Sequence, residues 1–230
     1  MIISHEHHLI FLKTRKTAGT SVEIALSDVA GPQDVITAID PADEEIRRGR
    51  GGRGPQNDRL PLRAYGAKKA VKRLLGRGNR AYNHMPASEV RRMVGAEVWD
   101  SYLTFSIERN PWDAVISQYH WRHRSVPREQ WPSLAEYLTT RPARLLARNV
   151  DIYSLSGVTA VDHLCRFESL DEDLDHVRRA AGLADVLELP RAKGESRTDR
   201  RPYREFYSDA DRDTVARMFA RTIAATGYRF

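Results

Sequence analysis

HLIFLKTRKTAGTSVEIAL, residues 8–26, holds a strand, a turn and a helix in nineteen consecutive letters. The apolar run His8–Lys13 is of strand type, and Thr14–Ser21 is a polar turn containing Gly19. Val22, Ile24, Ala25 and Leu26 then suit the inner face of a short helix. In this order of elements, backbone amides converge on the positive end of a helix, so an anion site is expected there. Arg15–Ser21 (RKTAGTS) offers Lys16 for charge, and Thr17, Thr20 and Ser21 as hydroxyl donors. Gly19 would let the backbone approach a ligand closely. The lysine precedes the glycine, so the loop is not the GxxxxGK[ST] loop of ATPases and GTPases.

Outward from this unit the same alternation continues. Pro86–Val94 reads as a helix opened by proline, Tyr102–Ile107 (YLTFSI) as a buried strand, and Pro111–Trp121 as a helix. Val161–Phe167 reads as a strand, Leu170–Ala181 as a helix, and Asp209–Ala225 as an amphipathic helix with Val215, Met218, Phe219 and Ile223 inward. Alternating strands and helices predict an α/β fold in three layers, a central parallel sheet flanked by helices, with ligands at the carboxyl ends of the strands. The length of 230 residues suits a single domain over residues 1–230.

Between Pro41 and Pro61 no apolar period survives, which predicts a mobile loop or insertion at about 41–80. Basic residues crowd its part 47–80: Arg47, Arg48, Arg50, Arg53, Arg59, Arg63, Lys68, Lys69, Lys72, Arg73, Arg77 and Arg80, opposed within that part only by Asp58. They read either as a solvated surface or as a guide for an acidic acceptor or a nucleic acid. The formal net charge of +6 agrees with an anionic ligand without choosing one. Cys165 is the only cysteine, so neither an internal disulfide nor a thiolate metal cluster can form from this chain. His5, His7 and His8 lack a companion carboxylate pattern, and no metal is expected. No stretch approaches the roughly 18 apolar residues of a bilayer span, and Met1–His8 lacks a secretory apolar core, which predicts a cytoplasmic location.

A second constellation lies in Tyr102–Trp121, YLTFSIERNPWDAVISQYHW. Arg109 at a strand end can grip a phosphate as a bidentate fork, and Ser117 can donate from the following helix. Taken singly, Arg109 could equally pair with Glu108 or Asp113, and Ser117 could be an ordinary helix serine.

KTAGTS after an apolar strand resembles the 5′-phosphosulfate loop (PKxxxTS) of sulfotransferases that use 3′-phosphoadenosine 5′-phosphosulfate (PAPS). The Arg109 segment resembles their 3′-phosphate segment (RNPxDRxxSxY). The chain resembles carbohydrate sulfotransferases, related to the heparan sulfate 2-O- and Golgi types, in a soluble bacterial form. Arg15 stands where proline is common, and Ala114 where arginine is common. His84-Met85-Pro86 matches the histidine, hydrophobic residue and proline that carry the catalytic base in cytosolic sulfotransferases. Arg166–Asp173 (RFESLDED) and the tail Tyr203–Phe230 also match, as bracing and closing segments, whereas Lys193, Gly194, Ser196 and Arg197 match a nucleotide-covering loop only loosely.

The resemblance implies a P-loop-like fold and PAPS as sulfuryl donor, with 3′-phosphoadenosine 5′-phosphate (PAP) as product and no metal. It implies Lys16 and His84 as catalytic residues, and donor contacts from Arg15, Lys16, Thr17, Ala18, Gly19, Thr20, Ser21, Arg109 and Ser117. The acceptor it implies is a hydroxyl of a carbohydrate, with an acidic one among the alternatives. A nucleoside triphosphate phosphotransferase and a non-catalytic RNA or polyanion binder are the competing readings.

Overall fold

The structure, a computed structural model, describes residues 1–61, 80–190, 199 and 201–230. Among the described residues seven strands run in chain order: β1 (Ile2–Ser4), β2 (Leu9–Leu12), β3 (Val35–Ile36), β4 (Leu103–Glu108), β5 (Ser154–Leu155), β6 (Val158–Thr159) and β7 (His163–Arg166). Five form the central sheet in the order β3-β1-β2-β4-β7, and β5 with β6 makes a separate hairpin.

The sheet is mixed, which corrects the expectation of a wholly parallel one. β2 pairs parallel with β4 and β4 with β7, but β1 runs antiparallel to both β2 and β3. The four residues His5–His8 between β1 and β2 are too few for a crossover, so that pair can only be antiparallel. The Asp34 carboxylate fastens this turn, accepting from the Ser4 hydroxyl and from the amides of His5, Glu6 and Gly31.

Period-two alternation sends successive strand residues to opposite faces. Ile2, Leu9, Phe11, Ile36, Phe105 and Ile107 meet α1 (Gly19–Asp28) through Val22 and Leu26, and α8 (Leu170–Ala180) through Leu170, Leu174 and Val177. Ile3, Ile10, Leu12 and Val35 face the other way, onto α3 (Ala87–Val94) and α4 (Ala96–Ser101) through Val90, Met93 and Trp99. The described residues thus stack as helix, sheet and helix. A third apolar cluster is built from helices alone: α5 (Pro111–His123), α6 (Leu134–Leu138), α7 (Arg141–Leu146) and α9 (Asp209–Met218). The amphipathic helix expected over 209–225 is two helices, α9 and α10 (Ala220–Thr226), separated at Phe219, whose side chain is buried.

Within the stretch expected to be a loop, Pro41–Gly49 is a helix, α2, with Pro41 in its first turn, Asp43 and Glu44 at its start, and Arg47 and Arg48 at its end. Its charges complement the helix dipole. Its inward residues are Asp43 and Arg47 rather than apolar ones, so the helix left no hydrophobic period to read. Several basic side chains of this stretch are also structural. The fully buried Arg47 pairs with Glu44 at 2.9 Å, Arg50 with Asp28 at 2.8 Å, and Arg80 with Asp58 at 3.2 Å, while Arg53 donates to the Ala30 carbonyl. Asp58 is therefore not their sole counter-charge. Arg63, Lys68, Lys69, Lys72, Arg73 and Arg77 lie outside the described residues, as do Lys193, Gly194, Ser196 and Arg197.

No helix among the described residues is long and apolar enough to cross a membrane.

Candidate functional site: two adjoining strand ends

β2 and β4 are parallel neighbours, so the turns leaving them open on the same edge of the sheet. The first turn, Lys13–Ala18, holds Lys16 at φ 65° and Ala18 at φ 58°, a left-handed conformation that non-glycine residues adopt only when their surroundings compel it. The helix it enters, α1, has no side-chain cap. Its first amides therefore lack the partners that a capping residue supplies.

The turn is braced from beneath and from the sides. The Lys13 ammonium is buried and paired with the fully buried Glu23 of α1. Thr14 donates its hydroxyl to the Ile107 carbonyl on β4, and the Thr17 hydroxyl meets that of Thr14 at 2.9 Å. Thr17 is almost fully buried, so its hydroxyl is committed to the brace, leaving Thr20 and Ser21 as the hydroxyls at the helix start. Gly19 also answers to a packing need. A Cβ there would lie 2.8 Å from Cγ of Lys13, so the bare α-carbon makes room for the lysine stem below. Asn149, 1% exposed, holds Arg15 by both main-chain groups: its Oδ1 accepts from the Arg15 amide at 3.0 Å and its Nδ2 donates to the Arg15 carbonyl at 2.9 Å.

The second turn, Arg109–Asn110, is short and caps its own helix. Asn110 accepts from the Trp112 amide, and Pro111 and Asp113 occupy the first turn of α5. Arg109 makes the ion pair that a purely structural arginine would make, with Nε and Nη2 donating to Asp113 at 2.9 and 2.7 Å. Its guanidinium also lies 4.0 Å above the Phe167 ring, and its Nη1 donates to the Lys16 carbonyl at 3.2 Å. The two turns are thereby in contact across 93 residues of sequence. Asp113, Ser117 and Trp121 follow one another at four-residue steps along one face of α5. Arg109 engages the first, and the Lys16 ammonium stands 5.3 Å over the ring of the third, so this face borders the loop with Ser117 between.

His84 stands beside the start of the loop, at φ 64°, with Nδ1 2.9 Å from the Lys13 carbonyl. A carbonyl can only accept, so Nδ1 carries the proton and Nε2 is left as the acceptor. Burial, reinforced by the Arg15 charge, lowers the imidazole pKa to about 3, and the ring is neutral at ordinary pH.

Below both turns lies Glu108, buried at the end of β4 and pushed up to about 7 by burial, with the neighbouring Glu168 adding to the rise. It accepts from the Arg109 amide and from the Tyr153 hydroxyl. Glu168 accepts from the Asn110 amide and from Tyr228, whose hydroxyl also lies within hydrogen-bonding distance of the Glu108 carbonyl. The RFESLDED segment therefore braces the second turn, through Phe167 and Glu168. Tyr228, anticipated as a core plug, is buried and also hydrogen-bonded into this acid pair.

The arrangement defines an α/β protein with a polar cradle at a parallel strand pair, able in chemical terms to hold an anion between a lysine, an arginine and a helix start. A protein of Archaeoglobus fulgidus described as uncharacterized is 31% identical over 108 residues, spanning 46% of this chain and 88% of the relative. The chain belongs to one family with that archaeal protein. No family model matches the chain, and no solved structure does.

Proposed function

We propose that this protein is a sulfotransferase that moves a sulfuryl group from PAPS to an acceptor hydroxyl, of a carbohydrate on the strength of the sequence resemblance, within a P-loop-like fold. The observation that carries the reading is the 3.2 Å hydrogen bond from Arg109 to the Lys16 carbonyl, which puts the loop suited to one end of a doubly phosphorylated nucleotide next to the arginine suited to the other.

On this reading the uncapped start of α1, with Thr20 and Ser21, receives the phosphosulfate. Lys16 meets the bridging oxygen on which charge develops as the sulfur–oxygen bond breaks. The 3′-phosphate lies against Arg109 and Ser117, with Asp113 orienting the guanidinium. The acceptor hydroxyl gives its proton to Nε2 of His84 as its oxygen bonds to sulfur, and PAP leaves. The low pKa of His84 describes the protein without the donor. A tetra-anionic nucleotide beside the loop offsets the smaller part of that lowering, the repulsion from Arg15 and Lys13, while burial, its first cause, remains.

Calorimetry with PAP, followed by transfer from labelled PAPS onto fractionated glycans, tests the proposal. Micromolar or tighter PAP binding is expected, weakened tenfold or more by Arg109→Ala. A loss of about 10² to 10³ in turnover is expected for Lys16→Ala, and of about 10² to 10⁴ for His84→Ala. A protein that ignores PAP but binds ATP with magnesium would be a phosphotransferase instead.

A further inference from the structure

Both main-chain amides of the second turn are given to carboxylates. The Arg109 amide donates to Oε1 of Glu108 at 3.0 Å, and the Asn110 amide to Oε1 of Glu168 at 2.8 Å. The turn therefore has no amide left for a phosphate, and two acids lie beneath the place where the 3′-phosphate of the proposed donor would rest. Glu108 is the deeper of them, 3% exposed. Its supports are uncharged: besides the Arg109 amide it accepts from the Tyr153 hydroxyl at 3.1 Å, and the side-chain amide of Asn149 lies near enough to favour its charged form. Asn149 also holds the Arg15 main chain, so Glu108 adjoins the supports of both turns. The cations nearby are turned elsewhere. Arg109 pairs with Asp113, and Arg166, opposite Glu108 in the β4–β7 ladder, reaches the Thr226 carbonyl and the Tyr228 ring. From the first turn, Lys13 is paired with Glu23 and Lys16 stands over Trp121. Tyr228 donates to Glu168, and Glu168 itself adds repulsion. Among the described residues no ion pair to Glu108 offsets its burial, which holds it near neutrality, where a further negative charge overhead decides whether it keeps a proton.

We propose that Glu108 is a positioning residue of the donor site and takes up one proton from solvent when the donor's phosphates settle over the two turns, so that donor binding weakens as pH rises above neutrality. This rests on the sulfuryl-transfer reading above. A protonated Glu108 no longer sets a buried like charge against the 3′-phosphate, and its carbonyl oxygen still accepts from the Arg109 amide, so Arg109 keeps its place. Uptake means that the complex binds more protons than the free protein. Affinity is then flat below pH 7, where free Glu108 already holds its proton, and falls above it by at most about tenfold per pH unit, the weight of one proton.

The test is calorimetry of PAP binding between pH 6 and 8.5, with the pH 7.5 titration repeated in Tris and in PIPES, whose different ionisation enthalpies count the protons exchanged. Wild type should take up about 0.4 proton or more per PAP at pH 7.5, where a group titrating near 7 is about three-quarters ionised. Glu108→Gln should take up none, and the ratio of wild-type to variant affinity should fall about fivefold or more from pH 6 to 8.5. Tyr153→Phe removes a hydrogen bond that favours the carboxylate, so the fall in affinity should begin about half a pH unit or more above its wild-type onset. A residue that only braces the fold would move neither readout, and should Glu108→Gln not fold, Tyr153→Phe decides alone. The nucleotide's phosphates lose protons on meeting Arg109 and Lys16, and burial keeps His84 unprotonated at pH 7.5, so neither imitates the uptake. Proton release or no exchange in wild type, uptake that persists in Glu108→Gln, or an onset unmoved by Tyr153→Phe overturns the proposal. Failure of wild type to bind PAP at any pH is a failure of the sulfuryl-transfer reading itself and takes this inference with it.

Discussion

The turn after β2 spends six residues, Lys13–Ala18, and delivers a helix without a side-chain cap, whereas the turn after β4 spends two, Arg109–Asn110, and caps itself. Both leave parallel neighbours on the same edge of the sheet and both are braced by distant residues, yet only the second caps the helix that it enters with a side chain of its own. Asn110, Pro111 and Asp113 satisfy the start of α5 with local groups and a local negative charge, which leaves little there for an anion to gain. At the start of α1 the bracing comes from Asn149, Ile107, Glu23 and Arg109, all of which act beneath or beside the loop. A helix start can thus be kept rigid and still open, provided that its supports do not use its amides.

The difference can be broken most severely at Asn149. Asn149→Ala strips two buried hydrogen bonds from Arg15 and strands both its main-chain groups, with an expected loss of about 2–4 kcal/mol in urea unfolding. If the loop is rigid for other reasons, the loss will be within experimental error and PAP binding will not change.

The acid beneath both turns sharpens the contrast through pH. Glu108 has its folded pKa raised to about 7 from 4.5, so the native state holds its proton more tightly than the unfolded chain. Stability from this group is fully present below pH 4.5 and is lost as pH rises through 7, by about 3 kcal/mol at one pKa unit per 1.36 kcal/mol. Glu108→Gln should remove that loss, giving a variant more stable than wild type at pH 8 and similar to it at pH 4. His84 has the opposite sign. Its folded pKa is lowered to about 3 from 6.5, so its contribution is present above pH 6.5 and fades as pH falls toward 3. The Gln variant should therefore expose a slope below pH 6.5 that Glu108 partly masks in wild type, and His84→Gln should flatten it. Thermal unfolding from pH 4 to 8 reads both.

The smallest effect belongs to the self-capped turn. Asn110→Ala removes the cap of α5 and a hydrogen bond to the Arg229 carbonyl, for about 1 kcal/mol, and should leave PAP affinity unchanged. A large loss of binding would mean that the two turns are one cooperative unit.

Both turns are legible in the chain because each is a local pattern: an apolar run, a cluster of small polar residues, then a helical period, with proline announcing α5. α2 was not legible, because a helix that buries Asp43 and Arg47 presents no apolar stripe. The three-residue β1 was too short to alternate visibly, and with it the antiparallel half of the sheet was missed. Asn149 carried no signal, for it lies 134 residues from the loop that it clamps. Phe167 fell within a matched segment, but nothing in that segment foretold its ring under Arg109.

What residue order alone determined is the alternation of strands and helices and the chemistry available at each turn, since hydrophobic period and turn composition act over a few neighbouring residues. Only the tertiary structure decided which of those groups are spent and which are left over. Thr17 turned inward, Gly19 cleared a path for Lys13, and among the described residues the Arg15 guanidinium was left without a hydrogen bond or ion pair. Whether a polar group is satisfied depends on residues brought close by folding, and no local pattern records them.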